Sequence, residues 1–239
     1  MQPETLPCAA HRTARRAASH RYRGDSFMLE QKLIVGRFFD LPPIVTTPVY
    51  VGPAVNFFHE VTSVIRHLNE STKTSFFGPK SSTTGMGAHA SKAHRNFVWL
   101  PWEKGFVTEV QLAGVDVLTG PMSGCWISRY TKNGNTYVGH VGTDVNSQAN
   151  TTQAKDAWNQ FAAGKNGITG FNPSNHWALN PVPSTGNDGG FRIYGLITAA
   201  GSFYSVFTYE QGKVGHSNNF RIAGIRLEQD ALPLNGQIP

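Results

Sequence analysis

Residues 118–143 read LTGPMSGCWISRYTKNGNTYVGHVGT, and the fold turns on how this stretch pairs with itself. Asn133-Gly134 sits at its middle, a dipeptide suited to the two left-handed positions of a type I′ turn. A two-residue turn there pairs residue 132 with 135, 127 with 140 and 125 with 142. Side chains alternate faces along a strand, so Cys125, Ile127, Arg129, Val138 and His140 are predicted to share one face. Trp126, Tyr130, Tyr137 and Val141 fall on the other, which is the face expected to meet the core. Cys125 and His140 become diagonal neighbours, with Cα atoms ~7–8 Å apart. A slip of one residue would move every one of these side chains to the opposite face.

The rest of the chain is consistent with a turn-rich β protein. Only 15% of its 239 residues are charged, while it holds 25 glycines and 14 prolines. Aromatics make up 11%, enough core material to argue against general disorder. Short apolar runs bounded by Gly or Pro predict strands at 32–39, 44–52, 96–103, 106–113 and 115–119. A second hairpin is expected over 191–210, turning at Ala200-Gly201, with a last strand at 219–228. Phe58, Val61, Val64, Ile65 and Leu68 form a helical stripe, with His59 and His67 at its edges. A second helix is predicted over 151–165, capped by Thr151 or Thr152, with Trp158, Phe161 and Ala162 on one side. Residues 71–94 and 166–190 read as loops, the first a candidate cover for a cleft and the second anchored by Trp177. The expected fold class is α+β, one domain built as a mixed β-sandwich with a few flanking helices.

Residues 1–27 have few large aliphatic side chains and predict a basic disordered tail ahead of a domain spanning 28–239. Five arginines against Glu4 and Asp25 give the tail +3 of the chain's net +6. No stripe of Lys and Arg interleaves with aromatics, so nucleic acid is not the expected partner. No apolar run is long enough to span a membrane, and no secretory signal is evident at the N-terminus. His89 and His94 lack the Cys or carboxylate companions that a metal site needs, and no phosphate-binding loop is present. The expectation is therefore neither metal nor cofactor.

Two cysteines, Cys8 and Cys125, are too few for a disulfide framework, which leaves Cys125 as a free thiol. A thiol near an imidazole is a nucleophile with its base: the imidazole takes the thiol proton and later protonates a leaving amine. Gly124 removes a side chain where a substrate carbonyl would approach, and backbone N–H groups around Gly124-Cys125 could form an oxyanion hole. The competing reading makes Cys125 a buried core residue, since cysteine is among the most buried types.

Met122-Ser123-Gly124-Cys125 resembles the Leu-Ser-Gly-Cys motif of bacterial cysteine deamidase toxins of the cytotoxic necrotizing factor type. Members of the Burkholderia lethal factor type, and the chemoreceptor glutamine deamidases, place a threonine six positions before the cysteine, which here is Thr119. The histidine downstream on the neighbouring strand, His140, also fits. The departure is Met122 for leucine, a near volume match. The resemblance implies a β-sandwich with flanking helices and hydrolysis of a glutamine side chain in a target protein, a host protein being one candidate. Cys125 would attack, His140 would protonate ammonia, Thr119 would orient His140, and Ser123 and Gly124 would line the substrate's approach. It also implies a bacterial cytoplasmic protein or one delivered to host cytosol. Transglutamination, another cysteine hydrolase activity, and a non-catalytic binding module remain as alternatives.

Overall fold

In the computed structural model, residues 29–40, 48–73, 81–87, 96–178, 188–211, 220–233 and 235–239 are described. Thirteen strands and two helices follow one another among them. The first half holds β1 (Phe38–Asp40), β2 (Phe58–Glu60), β3 (Ile65–Lys73), β4 (Ser81–Gly87), β5 (Asn96–Leu100), β6 (Val107–Gln111) and β7 (Asp116–Met122). Then come β8 (Trp126–Lys132), β9 (Asn135–Val141), α1 (Gln148–Ala162), β10 (Thr169–Phe171) and α2 (Pro173–Ala178). The chain closes with β11 (Asp188–Ile197), β12 (Phe203–Gln211) and β13 (Phe220–Glu228). The protein is mostly β: two mixed sheets pack as a sandwich, with two helices.

The first sheet runs β13-β12-β11-β7-β5-β3, and β4 with the short β1 joins its ends into a closed ladder. The second has the order β10-β8-β9-β6-β2. Three apolar layers result. Leu68, Phe97, Leu118, Leu196, Val206 and Ile222 fill the inside of the closed sheet, with Leu29 and Leu33 packed among them. Val98, Leu100, Val117 and Ile197 meet Val110, Ile127, Val138 and Phe171 between the sheets. Trp126, Tyr130, Tyr137 and Val141 pack beneath α1 against Ala154, Trp158 and Ala162.

The β8–β9 hairpin has the expected register, Lys132 facing Asn135 and Ile127 facing His140. Asn133 and Gly134 have φ of 51° and 79°, the two positive values that a type I′ turn demands. The ladder stops at Trp126 and Val141, so Cys125 and Gly142 do not pair; the Gly142 N–H bonds Phe106 O at 2.9 Å instead. Both faces of the hairpin are buried, where one core face was expected. The Cys125 side enters the layer between the sheets and the aromatic side enters the layer under α1. A register slip would then exchange aliphatics for aromatics in two layers at once, which pins the pairing more firmly than one buried face could.

The helix expected over 58–68 is absent; the segment holds β2 and the start of β3. Phe58 pairs with Val107 in parallel, and Ile65 pairs with Val98. Val64 and Ile65 are 40% and 49% exposed, so the helical stripe corresponds to no buried face. Distant strand partners override a local period of this length. The strand expected at 32–39 shrinks to its end, because Leu29–Lys32 forms a 3-10 turn. The loop expected at 71–94 carries the end of β3 and all of β4; its remaining residues, with His89 and His94, lie outside the described ones, as does the tail 1–27. The loop expected at 166–190 contains β10 and α2, and Trp177 is buried there, donating from Nε1 to Ser205 Oγ at 2.8 Å. Helix α1 begins earlier than 151 because Ser147 is the N-cap, its hydroxyl accepting from Asn150 N. Thr151 instead spends its hydroxyl on Asp144 O, at 3.0 Å.

Candidate active site

A bulge in β7 sets up the site. Opposite β11, Thr119 pairs with Gly195 and Met122 with Ile193, so β7 carries one extra residue at Gly120-Pro121. Proline has no N–H to give to a ladder, which suits it to such a position. The extra residue turns Met122 toward the layer between the sheets, which Val117 and Cys125 also enter.

Thr119 looks into this layer from the first sheet and His140 from the second, and both are fully buried. The Thr119 hydroxyl donates to Leu100 O at 2.6 Å, so its lone pair is left to accept the His140 Nδ1–H at 2.7 Å. That network assigns the tautomer: the proton sits on Nδ1 and the lone pair on Nε2. Nε2 is buried and has no hydrogen-bond partner among the described residues. Burial lowers the imidazole pKa from 6.5 to about 3, because the charged form would lose its hydration without a carboxylate in return.

Cys125 lies just before β8 and is 2% exposed. Its Sγ is 3.3 Å from Thr143 Oγ1 and 3.8 Å from Thr143 O, and it makes no bond to His140 Nε2. Burial raises the thiol pKa, and the contacts with Thr143 partly oppose the shift. The resting site thus holds a neutral thiol and a neutral imidazole in the same layer. Trp102 Nε1 donates to Thr143 O at 3.0 Å and joins this cover. Ser123 is exposed and Gly124 half-buried; Gly124 O accepts from Asn172 Nδ2 at 3.3 Å. Asn172 also accepts Ser174 N at the start of α2, so one buried amide ties the Gly124-Cys125 backbone to the helix.

No family model matches this chain, and no curated protein matches its sequence.

The structure therefore brings Thr119 and His140 into contact, and holds Cys125 on Thr143. Thr143 and Asn172 had no signal in sequence, since each acts through a tertiary contact. A further group stands in the same row. Across the second sheet Ile127 faces His140, His140 faces Thr108, and Thr108 faces His59. His59 and His140 are therefore two strands apart on one face, about 10 Å at ordinary strand spacing. His59 is at the sheet edge, where its Nδ1 is 2.9 Å from Glu103 Oε2, and Tyr50 donates to the same oxygen at 2.8 Å. Burial pushes the Tyr50 hydroxyl pKa up, and the Glu103 charge adds to the shift. Read as the edge of a helix, His59 gave no hint of this. Among the described residues no group of three or more His, Cys, Asp or Glu could hold a metal ion, and no helix is long and apolar enough to cross a membrane.

Proposed function

We propose that the protein is a cysteine deamidase that converts a glutamine side chain of a target protein to glutamate. One observation carries the reading: a buried imidazole oriented by Thr119 keeps an unpartnered Nε2 in the layer that holds the Cys125 thiol. A buried polar atom left unpaired costs roughly 1–3 kcal/mol, a cost that a proton acceptor in a reaction would explain. The Met122–Cys125 string and Thr119 support the same choice of chemistry.

In this reading substrate binding displaces the cover at Thr143 and Trp102 and lets Sγ meet Nε2. His140 takes the thiol proton as Sγ bonds to the carboxamide carbon, and the oxyanion rests on backbone N–H groups near Gly124-Cys125. The C–N bond then breaks, the nitrogen leaves as ammonia with the proton from His140, and a thioester remains. Water, giving a proton to His140, attacks the thioester and releases glutamate and the thiol. An amine in place of water would make the same site a transglutaminase.

The test is ammonia release and intact mass of proteins in a host-cell lysate treated with wild type or Cys125→Ser. Wild type should release ammonia and raise an uncleaved protein by about one mass unit, and Cys125→Ser should do neither. Fragments would indicate a peptidase, and equal effects from both proteins would overturn the reading. The burial of Sγ favours a second reading, a binding module in which Cys125 fills the core. Its mark would be a thiol whose reactivity ignores His140→Ala.

A further inference from the structure

Glu60 and Glu109 are partners across the parallel pair β2–β6, so their side chains stand next to each other on one face of the second sheet. That face is the one under α1, opposite to the face of His140. Adjacent carboxylates repel unless each finds a cation or donors. Glu109 is satisfied: it is 1% exposed, Tyr130 donates to one oxygen and Lys132 to the other. Glu60 is not provided for in the same way. Among the described residues its carboxylate has one hydrogen bond, from Tyr137 Oη at 3.3 Å to one oxygen, and the other oxygen has no partner.

Both carboxylates line a cavity of about 660 Å³ between α1 and the segment 51–58. That volume lies within the ~300–1,000 Å³ usual for small-molecule sites. The rest of its walls is mostly apolar, with Val51, Val55, Phe58 and Phe161 among them, and the two rings lie 5.0 Å apart. Val51 and Val55 are 64% and 66% exposed, so apolar surface continues from the walls to the rim. Two carboxylates face one ammonium, that of Lys132, in a chain whose net charge is +6. The local charge is thus opposite in sign to that of the whole molecule.

We propose that this cavity binds a small organic cation, an ammonium group on an aromatic or alkyl body. The ammonium supplies Glu60 with the charged donor it lacks, and the body covers Phe58, Phe161 and the two valines. A charge-assisted hydrogen bond is about twice as strong as a neutral one, and the aromatic walls favour a cation as well. An anionic ligand would meet Glu60, and a neutral one would leave it as it is. The site lies across the sheet from Cys125, and the proposal does not depend on the deamidase reading.

Three probes with a common body test it by calorimetry on the full chain: phenethylamine, phenethyl alcohol and 3-phenylpropanoate. The amine should bind about tenfold or more tightly than the alcohol, and the acid should not bind. Glu60→Gln should weaken the amine by about tenfold and leave the alcohol unchanged. Gln160→Lys alters an exposed helix position on the cavity wall, keeps the fold, and should weaken the amine by placing a competing cation there. Cys125→Ser should bind the amine like wild type. Equal binding of all three probes, no binding of the amine, or indifference of amine binding to both Glu60→Gln and Gln160→Lys would overturn the proposal.

Discussion

The Thr119 hydroxyl, 2.7 Å from His140 Nδ1, is a polar link between the two sheets, and it stands among the apolar side chains packed between them. It also donates to Leu100 O, so one oxygen satisfies two buried groups. Thr119→Val keeps the shape and orphans both. A loss of about 1–3 kcal/mol is expected by urea unfolding, and Thr119→Ser should recover most of it. Under the deamidase reading Thr119→Val also lowers turnover, because the imidazole loses its fixed tautomer.

His140 should make the protein sensitive to acid. Its pKa falls from 6.5 to about 3 on folding, so the folded state resists a proton that the unfolded state accepts. The stabilising contribution is complete above 6.5 and is lost as pH falls from there toward 3. The slope approaches about 1.4 kcal/mol per pH unit for one group. Urea midpoints between pH 7 and pH 4 should fall more steeply for wild type than for His140→Gln. Parallel profiles would remove the buried histidine as the cause.

The Cys125 thiol should be slow to react. Cys8 is first replaced by serine, and iodoacetamide labelling is followed by mass spectrometry. Because burial raises the Cys125 pKa, the native rate at neutral pH should lie on the order of tenfold or more below that of the urea-unfolded chain. Thr143→Val removes a contact that favours the thiolate, and should slow labelling further while leaving the unfolded rate alone. A native rate equal to the unfolded rate would contradict the burial.

Gly195 lets the sheets approach at the site. A Cβ there would stand 1.8 Å from Ile127 Cδ1, so in Gly195→Ala the end of the Ile127 side chain must move aside within the packed layer. Overpacking of this kind costs roughly 1–3 kcal/mol. Ile127→Val deletes the clashing Cδ1, and in the Gly195→Ala background it should restore stability, although alone it destabilises. The double-mutant cycle measures this coupling; additive effects would show that the two side chains do not meet.

The hairpin was legible in residues 118–143 because everything that defines it is local. Asn133-Gly134 sets the turn, the period of two sets the faces, and together they place His140 opposite Ile127. The thirteen-strand arrangement was less legible where strands are short. Phe58–Glu60 is three residues long, and its identity comes from parallel pairing with Val107–Gln111, far along the chain. Nothing in the sequence around Phe58 encodes that partner, and its apolar spacing imitates a helix.

The site divides in the same way. Sequence by itself put Cys125 and His140 on one face of a hairpin, because alternation along a strand is a property of the backbone. Tertiary structure decided that this face is buried, that Thr119 of the other sheet holds Nδ1, and that Thr143 rather than His140 holds the thiol. Those choices depend on how two sheets stack and on where a bulge turns β7, and stacking is set by side chains distant in sequence packing together.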